Sequence, residues 1–169
     1  MLNNTVDINQ PPLEYTMSSG DKSDITDEPY SDLRELRFKN INRIIVTHLN
    51  INSIRNKFEE FKDLVINCAD IAVVSETKIN PSFTTSQFEM EGFQSPFRAD
   101  RNLYGGGILV YIRQNIPAKL LKIHDEIECI SFEINLRNRK WFICAVYNPH
   151  KSNSQSFLNH LSSEIENYL

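Results

Sequence analysis

The chain has 169 residues, 40% of them hydrophobic, enough for one domain with a real core. Its longest apolar run, Trp141 to Tyr147, is far short of the roughly 20 residues that span a bilayer, so no stretch of these residues reads as a membrane-crossing helix. The formal net charge of −4 is unevenly placed: residues 1–36 hold eight acidic and two basic side chains, and the other 133 residues carry 16 basic against 14 acidic. The overall acidity therefore excludes no nucleic-acid partner, and the near-neutral remainder does not call for one.

Residues 1 to 37 contain Pro11-Pro12, Ser18-Ser19-Gly20 and Pro29 among many Asp, Asn, Ser and Thr, without apolar periodicity. They read as a disordered acidic leader with a helical turn near Leu33 to Phe38. No basic patch followed by an apolar core marks the start for export, so nucleus or cytoplasm is the expected location. Cys68, Cys129 and Cys144 are odd in number and lack C-x-x-C spacing, as buried free thiols of a reducing compartment do. His48, His124, His150 and His160 show no zinc spacing.

Folded sequence is expected over 38–169. The β-branched run Arg43 to Leu49 predicts a strand. Ser53, or Asn52, is a good N-cap for a helix over 53–66, in which Ile54, Phe58, Phe61, Leu64 and Val65 recur at helical spacing. Next comes Ile71-Ala72-Val73-Val74, an apolar run too short for a buried helix, ending at Ser75-Glu76-Thr77-Lys78. Two strands joined by a helix and lying in one sheet are parallel. That places Asn50 and Asn52 at the same sheet edge as Glu76, the carboxyl edge where ligands gather in such units. The plain alternative is a Glu76 that merely caps a strand and pairs with Lys78 in solvent.

Residues 79–104 read as a loop pinned to the core by Phe83, Phe88, Phe93 and Phe97. Gly105-Gly106-Gly107 precedes Ile108 to Ile112, a central strand. With no G-x-G-x-x-G and no Walker lysine, the glycines predict a tight turn or bulge rather than a phosphate loop. After Pro117, Cys129 to Leu136 alternates cleanly, Arg137-Asn138-Arg139 turns, and Lys140 to Tyr147 returns as a nearly continuous apolar strand, together a β-hairpin. Pro149 stops it. A final helix over 154–169 carries Phe157, Leu158, Leu161, Ile165 and Tyr168 on one face and has no C-cap, so the chain looks cut rather than finished.

Four stretches in order, Leu49-Asn50-Ile51-Asn52-Ser53, Val73-Val74-Ser75-Glu76-Thr77-Lys78, a glycine-led strand, and Ala145-Val146-Tyr147-Asn148-Pro149, resemble the exonuclease–endonuclease–phosphatase superfamily. The wording from His48 to Phe58 and from Tyr104 to Tyr111 is similar to the apurinic-type endonuclease domain of non-LTR (LINE-type) retrotransposons. The resemblance covers residues 41 to 169. It implies an α+β fold, a partial four-layer α/β/β/α sandwich with mixed sheets whose C-terminal half is missing. It also implies magnesium- or manganese-dependent nicking of DNA phosphodiester bonds, with the cation held weakly in this chain.

By the same resemblance Glu76 matches the metal ligand, Asn50 a residue that positions the catalytic groups, Lys78 a second cation near the metal, and Tyr147 a tyrosine whose hydroxyl bonds the phosphate. Asn52 stands where relatives often carry an acid. A hard divalent cation prefers carboxylate oxygen and keeps waters, which suits Glu76 in that role. The Gly-Asp-x-Asn and Ser-Asp-His motifs of the family are absent; Asp7-Ile8-Asn9 and His124-Asp125 are the nearest letters, in the wrong places. The expectation is a truncated retrotransposon-type endonuclease, inactive alone, with DNA and a reverse-transcriptase region as the parent's partners. The alternative is a non-catalytic interaction module built on the same half-fold.

Overall fold

The computed structural model describes residues 31–124, 126–148 and 154–168. The leader over 1–30, with Asp7 and Asn9, and the residues Asp125, Pro149 and His150 lie outside the described residues.

β-Branched and aliphatic runs set the strands. Sheet 1 holds β1 (Val46–Asn50), β2 (Ile71–Ser75), β4 (Ile108–Ile112) and β3 (Phe97–Ala99), in the order β1-β2-β4-β3. β1 and β2 are parallel in the register Val46↔Ile71 to Asn50↔Ser75, with α2 (Phe58–Val65) between them in sequence, as the strand–helix–strand pattern predicts. β2 and β4 occupy the sheet centre, which is why their residues read as unbroken apolar runs instead of alternating. Sheet 2 is the antiparallel meander β5 (Ala118–Ile123), β6 (Glu128–Leu136) and β7 (Arg139–Tyr147). Arg137 (φ 50°) and Asn138 (φ 61°) form its two-residue hairpin loop, both left-handed as the strand twist demands.

Two cores follow from the alternation. On the outer face of sheet 1, Ala72, Val74, Leu109 and Tyr111 meet Phe61 and Val65 of α2 and the loop residues Phe88, Met90 and Phe93. Between the sheets, Ile71, Ile108, Val110 and Ile112 face Ile130, Phe132 and Ile134. Each large side chain buried this way contributes about 1.5–3 kcal/mol. On the far side of sheet 2 lies α3 (Ser154–Glu166), where Tyr168 stacks on Phe142 at 4.1 Å and Glu164 reaches His124 at 3.2 Å. The order of layers is thus α2, sheet 1, sheet 2, α3: an α+β four-layer sandwich.

Several expectations need correction. The helix begins at Phe58, not Ser53, because the Ser53 and Ile54 N–H groups bond the Glu76 and Thr77 carbonyls and extend the β1–β2 ladder. Ser53 takes φ 85°, which a helix N-cap does not. The loop over 79–104 contains a short 3₁₀ turn, Thr85–Phe88, and strand β3; β5 has no expected counterpart, its alternation being weakened by Lys119 and Lys122. The end of the assigned leader is a full helix, α1 (Ser31–Lys39), tied down by Arg37, which donates to Cys68 O at 2.9 Å and pairs with Asp70 at 2.5 Å.

On α3 the expected apolar face is partly covered: Phe157 and Leu161 are half-buried and Tyr168 stacks on Phe142, while Leu158 and Ile165 are exposed and Glu164 is buried. Most consequential is an overhang. β3 and β4 pack over sheet 2, but the side chains that β1 points inward, Val46, His48 and Asn50, are exposed, and so is Trp141 on the inward face of β7. Among the described residues sheet 2 ends at β7 before it has covered β1.

Candidate active site at the shared sheet edge

The C-terminal ends of β1, β2 and β7 and the N-terminal ends of β4 and β6 arrive at one edge of the sandwich, because Ser75 pairs with Asn50 and Ile108, and Tyr147 pairs with Glu128. There the chain leaves regular β geometry. Asn52, Ser53, Glu76 and Lys78 all have positive φ, at 47°, 85°, 59° and 53°. Non-glycine residues held left-handed cost on the order of 1 kcal/mol each and persist only where their surroundings determine them.

Two rails of backbone hydrogen bonds do so. On one side the N–H groups of Ile51, Ser53 and Ile54 donate to the carbonyls of Ser75, Glu76 and Thr77, at 3.0, 2.7 and 3.0 Å. On the other, the Thr77 and Lys78 N–H groups donate to the Gly107 and Gly106 carbonyls, at 3.3 and 3.0 Å. Gly106 (φ 71°) and Gly107 (φ 89°) are glycines of necessity: a Cβ on Gly107 would collide with Thr77 Oγ1. The glycines therefore form the tight turn that the sequence predicts.

The turn aims the side chains at one another. Tyr147 donates its hydroxyl to Glu76 Oε1, and Lys78 Nζ lies 3.7 Å from Glu76 Oε2. Lys78 also donates to Asn52 Oδ1, and the Asn52 N–H donates to Asn50 Oδ1 at 3.2 Å. All five residues singled out in the sequence thus stand in one continuous line, Tyr147–Glu76–Lys78–Asn52–Asn50. The hydrogen bond to Glu76 is the main cause that pushes the Tyr147 phenol up to about 12, with desolvation and the charges of Glu76 and Glu128 adding to it. Tyr147 accordingly stays protonated and remains a donor across the physiological range.

As a cation site the line is open. Among the described residues no three His, Cys, Asp or Glu side chains gather where a metal could be held. Glu76 contributes one carboxylate, one-fifth exposed, and its Oε2 lies beyond hydrogen-bonding distance of Lys78 and keeps lone pairs for a ligand. One carboxylate beside amide oxygens fits a hard divalent cation that retains most of its waters, and not a closed protein cage.

Two functional-looking residues escaped the sequence reading. Glu128 Oε2 accepts the Gly107 N–H at 2.6 Å, and Glu128 Oε1 accepts Arg101 at 2.8 Å. A register count back from the Arg137-Asn138 loop places Glu128 opposite Tyr147, so the hairpin itself carried that signal. Arg101, from the loop after β3, carried none. Beyond them a cleft of about 690 Å³ opens toward α3, with Arg98, Asp100, Arg101, Tyr147 and His160 on its walls.

No family model matches the chain, and no curated protein matches it. Among solved structures it is similar to a 3′-5′ exonuclease from Neisseria meningitidis, at 18% identity and a TM-score of 0.45, over 68% of this chain and 47% of that one. It is also similar to a 3′ phosphatase from Neisseria bound to a product DNA hairpin, at 18% identity and a TM-score of 0.40, over 57% of this chain and 39% of that one. The chain spans less than half the length of either structure. The chemistry of the edge rests on its own geometry.

Proposed function

We propose that this edge is the metal- and phosphate-handling part of a DNA phosphodiesterase of the non-LTR retrotransposon endonuclease kind, and that the 169-residue chain does not cleave DNA by itself. One observation carries the reading: the line from Tyr147 through Glu76, Lys78 and Asn52 to Asn50, assembled from three separate stretches at a single sheet edge.

Each member has a task that its chemistry suits. Glu76 is the acidic ligand for magnesium or manganese, which when bound supplies Lewis-acid polarisation of a phosphoryl oxygen and a template for water. Lys78 adds a fixed positive charge beside the phosphate and holds Asn52 in place. Asn50 in turn fixes the Asn52 backbone. Tyr147 keeps its single phenolic proton and turns its hydrogen bond from Glu76 to a phosphate oxygen when DNA occupies the edge. Hydrolysis further needs a group that takes the proton of the attacking water and one that steadies charge on the phosphate, each expected to matter by factors of about 10²–10⁴. The family's Gly-Asp-x-Asn and Ser-Asp-His motifs would supply them, and neither occurs in these 169 residues. In a parent protein of this kind a reverse-transcriptase region is the accompanying partner.

The test pairs two measurements on the purified chain. Supercoiled plasmid in magnesium or manganese should show no nicking above background, while Mn²⁺ titrated by electron paramagnetic resonance should bind weakly and lose that binding in Glu76→Ala. Nicking that vanishes in Glu76→Ala would mean that the water-activating group lies elsewhere in this chain. Mn²⁺ binding indifferent to Glu76→Ala would remove the metal role.

A second reading, a non-catalytic interaction module, draws on a different observation. The inward-facing Val46 and Trp141 are 57% and 54% exposed on the edge strands β1 and β7. Under that reading the chain binds a partner protein equally well with and without Glu76.

A further inference from the structure

Glu128 sits at the first position of β6, its side chain only 17% exposed, and both of its carboxylate oxygens are engaged. Oε2 takes the Gly107 N–H at 2.6 Å and Oε1 takes the Arg101 guanidinium at 2.8 Å. Gly106 is packed so closely against this carboxylate that a Cβ there would lie 2.6 Å from both oxygens. Gly106 and Gly107 are the residues whose carbonyls hold the Lys78 and Thr77 N–H groups. A single carboxylate on sheet 2 thus grips the turn that forms one of the two rails around the left-handed stretch 76–78 on sheet 1.

The register supplies the second half of the argument. Glu128 is the direct cross-strand partner of Tyr147. The same residue therefore lies opposite the phenol's own backbone position on sheet 2 and, through Gly107, holds the Glu76 turn on the other sheet. The Tyr147–Glu76 hydrogen bond crosses the gap that Glu128 spans.

We propose that Glu128 is a positioning residue for Glu76 and Lys78: by clipping the Gly106–Gly107 turn to sheet 2, it sets the backbone geometry that presents both side chains to the phosphate edge. The proposal rests on the reading of that edge as the functional site. A carboxylate suits the task because its two oxygens can take the Gly107 amide and the Arg101 guanidinium together. Charge-assisted bonds of this kind are also roughly twice as strong as neutral ones. Reach is the critical property, since the acceptor must arrive within hydrogen-bond distance of an amide on the opposite sheet.

The experiment compares Glu128→Gln, Glu128→Asp and Glu128→Ala in the whole chain by amide hydrogen exchange, read by NMR at Thr77 and Lys78, with Leu109 and Val110 in the centre of β4 as controls. Glutamine keeps one oxygen at the right reach for the Gly107 amide but loses the charge and the Arg101 acceptor, so its exchange should fall between wild type and alanine. Aspartate keeps the charge but falls one methylene short, so it should behave like alanine. In both of these, Thr77 and Lys78 should exchange about tenfold faster or more, the scale of one lost hydrogen bond to a charged group, while the controls hold. Wild-type exchange in Glu128→Asp would show that charge matters and reach does not, and would overturn the proposal. So would unchanged exchange in Glu128→Ala. Should the alanine variant fail to fold, the contrast between aspartate and glutamine decides alone. Mn²⁺ titration of the same proteins separates the two claims: wild type that binds no Mn²⁺ removes the metal role of Glu76, and exchange still decides whether Glu128 is the clip.

Discussion

The Tyr147 hydroxyl donates to the Glu76 carboxylate from 71 positions further along the chain, and the two side chains come from opposite sheets of the sandwich. Tyr147 ends β7 on the meander sheet, and Glu76 follows β2 on the mixed sheet. Their meeting depends on how the sheets are stacked, and it makes the phenol a reporter of that stacking.

The first prediction concerns pH. The Tyr147 phenol is pushed up to about 12, first by its hydrogen bond to Glu76 and then by desolvation and nearby negative charge. In the unfolded chain it titrates near about 10. A group whose folded pKa is raised stabilises the fold fully below the unfolded value, and that contribution fades as pH rises through the window between the two. Thermal unfolding of wild type and Tyr147→Phe should therefore show a constant stability gap up to about pH 10 that closes by about pH 12. A gap unchanged across the window would mean that Glu76 does not hold the phenol in solution.

The second prediction separates two of the three adjacent glycines. Gly107 has φ 89°, and a Cβ there meets Thr77 Oγ1, so Gly107→Ala should cost about 2 kcal/mol or more in urea unfolding. Gly105 has open space around it, and Gly105→Ala should stay within about 0.5 kcal/mol of wild type. Equal effects at the two positions would contradict the packing of the turn.

The third prediction follows from the overhang. β1 and β7 are edge strands whose inward faces leave Val46 and Trp141 exposed, and unpaired strand edges with apolar faces invite association. Light scattering over a dilution series should report mass above that of a monomer at tens of micromolar, falling toward monomer in Trp141→Lys. A wild-type monomer at that concentration with one sharp thermal transition would show that the exposed flank is stable alone.

What could be read from the sequence is what local physics governs. The β-branched runs at 43–49 and 71–74, the alternation of Ile130, Phe132 and Ile134, and the helical spacing of Phe58, Phe61 and Val65 each specify an element with no knowledge of its neighbours. The parallel pairing of β1 with β2 follows from the intervening helix, and by that connectivity alone Asn50 and Glu76 share one edge. Tertiary structure alone decided the rest. Helix α2 starts four residues after Ile54 because two amides are drawn to the Glu76 and Thr77 carbonyls, a non-local competition that overrides the Ser53 cap signal. β3 is only three residues long and β5 is broken by Lys119 and Lys122, and each becomes a strand because a longer neighbour offers it a ladder. The apolar appearance of β7 suggested burial, yet Trp141 is exposed because burial is a property of what covers a strand, and sheet 2 ends there. Glu128 looks like any acid at the start of an alternating run. Hairpin register places it opposite Tyr147, but only the stacking of two sheets gives it Gly107, because a hydrogen bond between sheets has no signature in the spacing of residues along one chain.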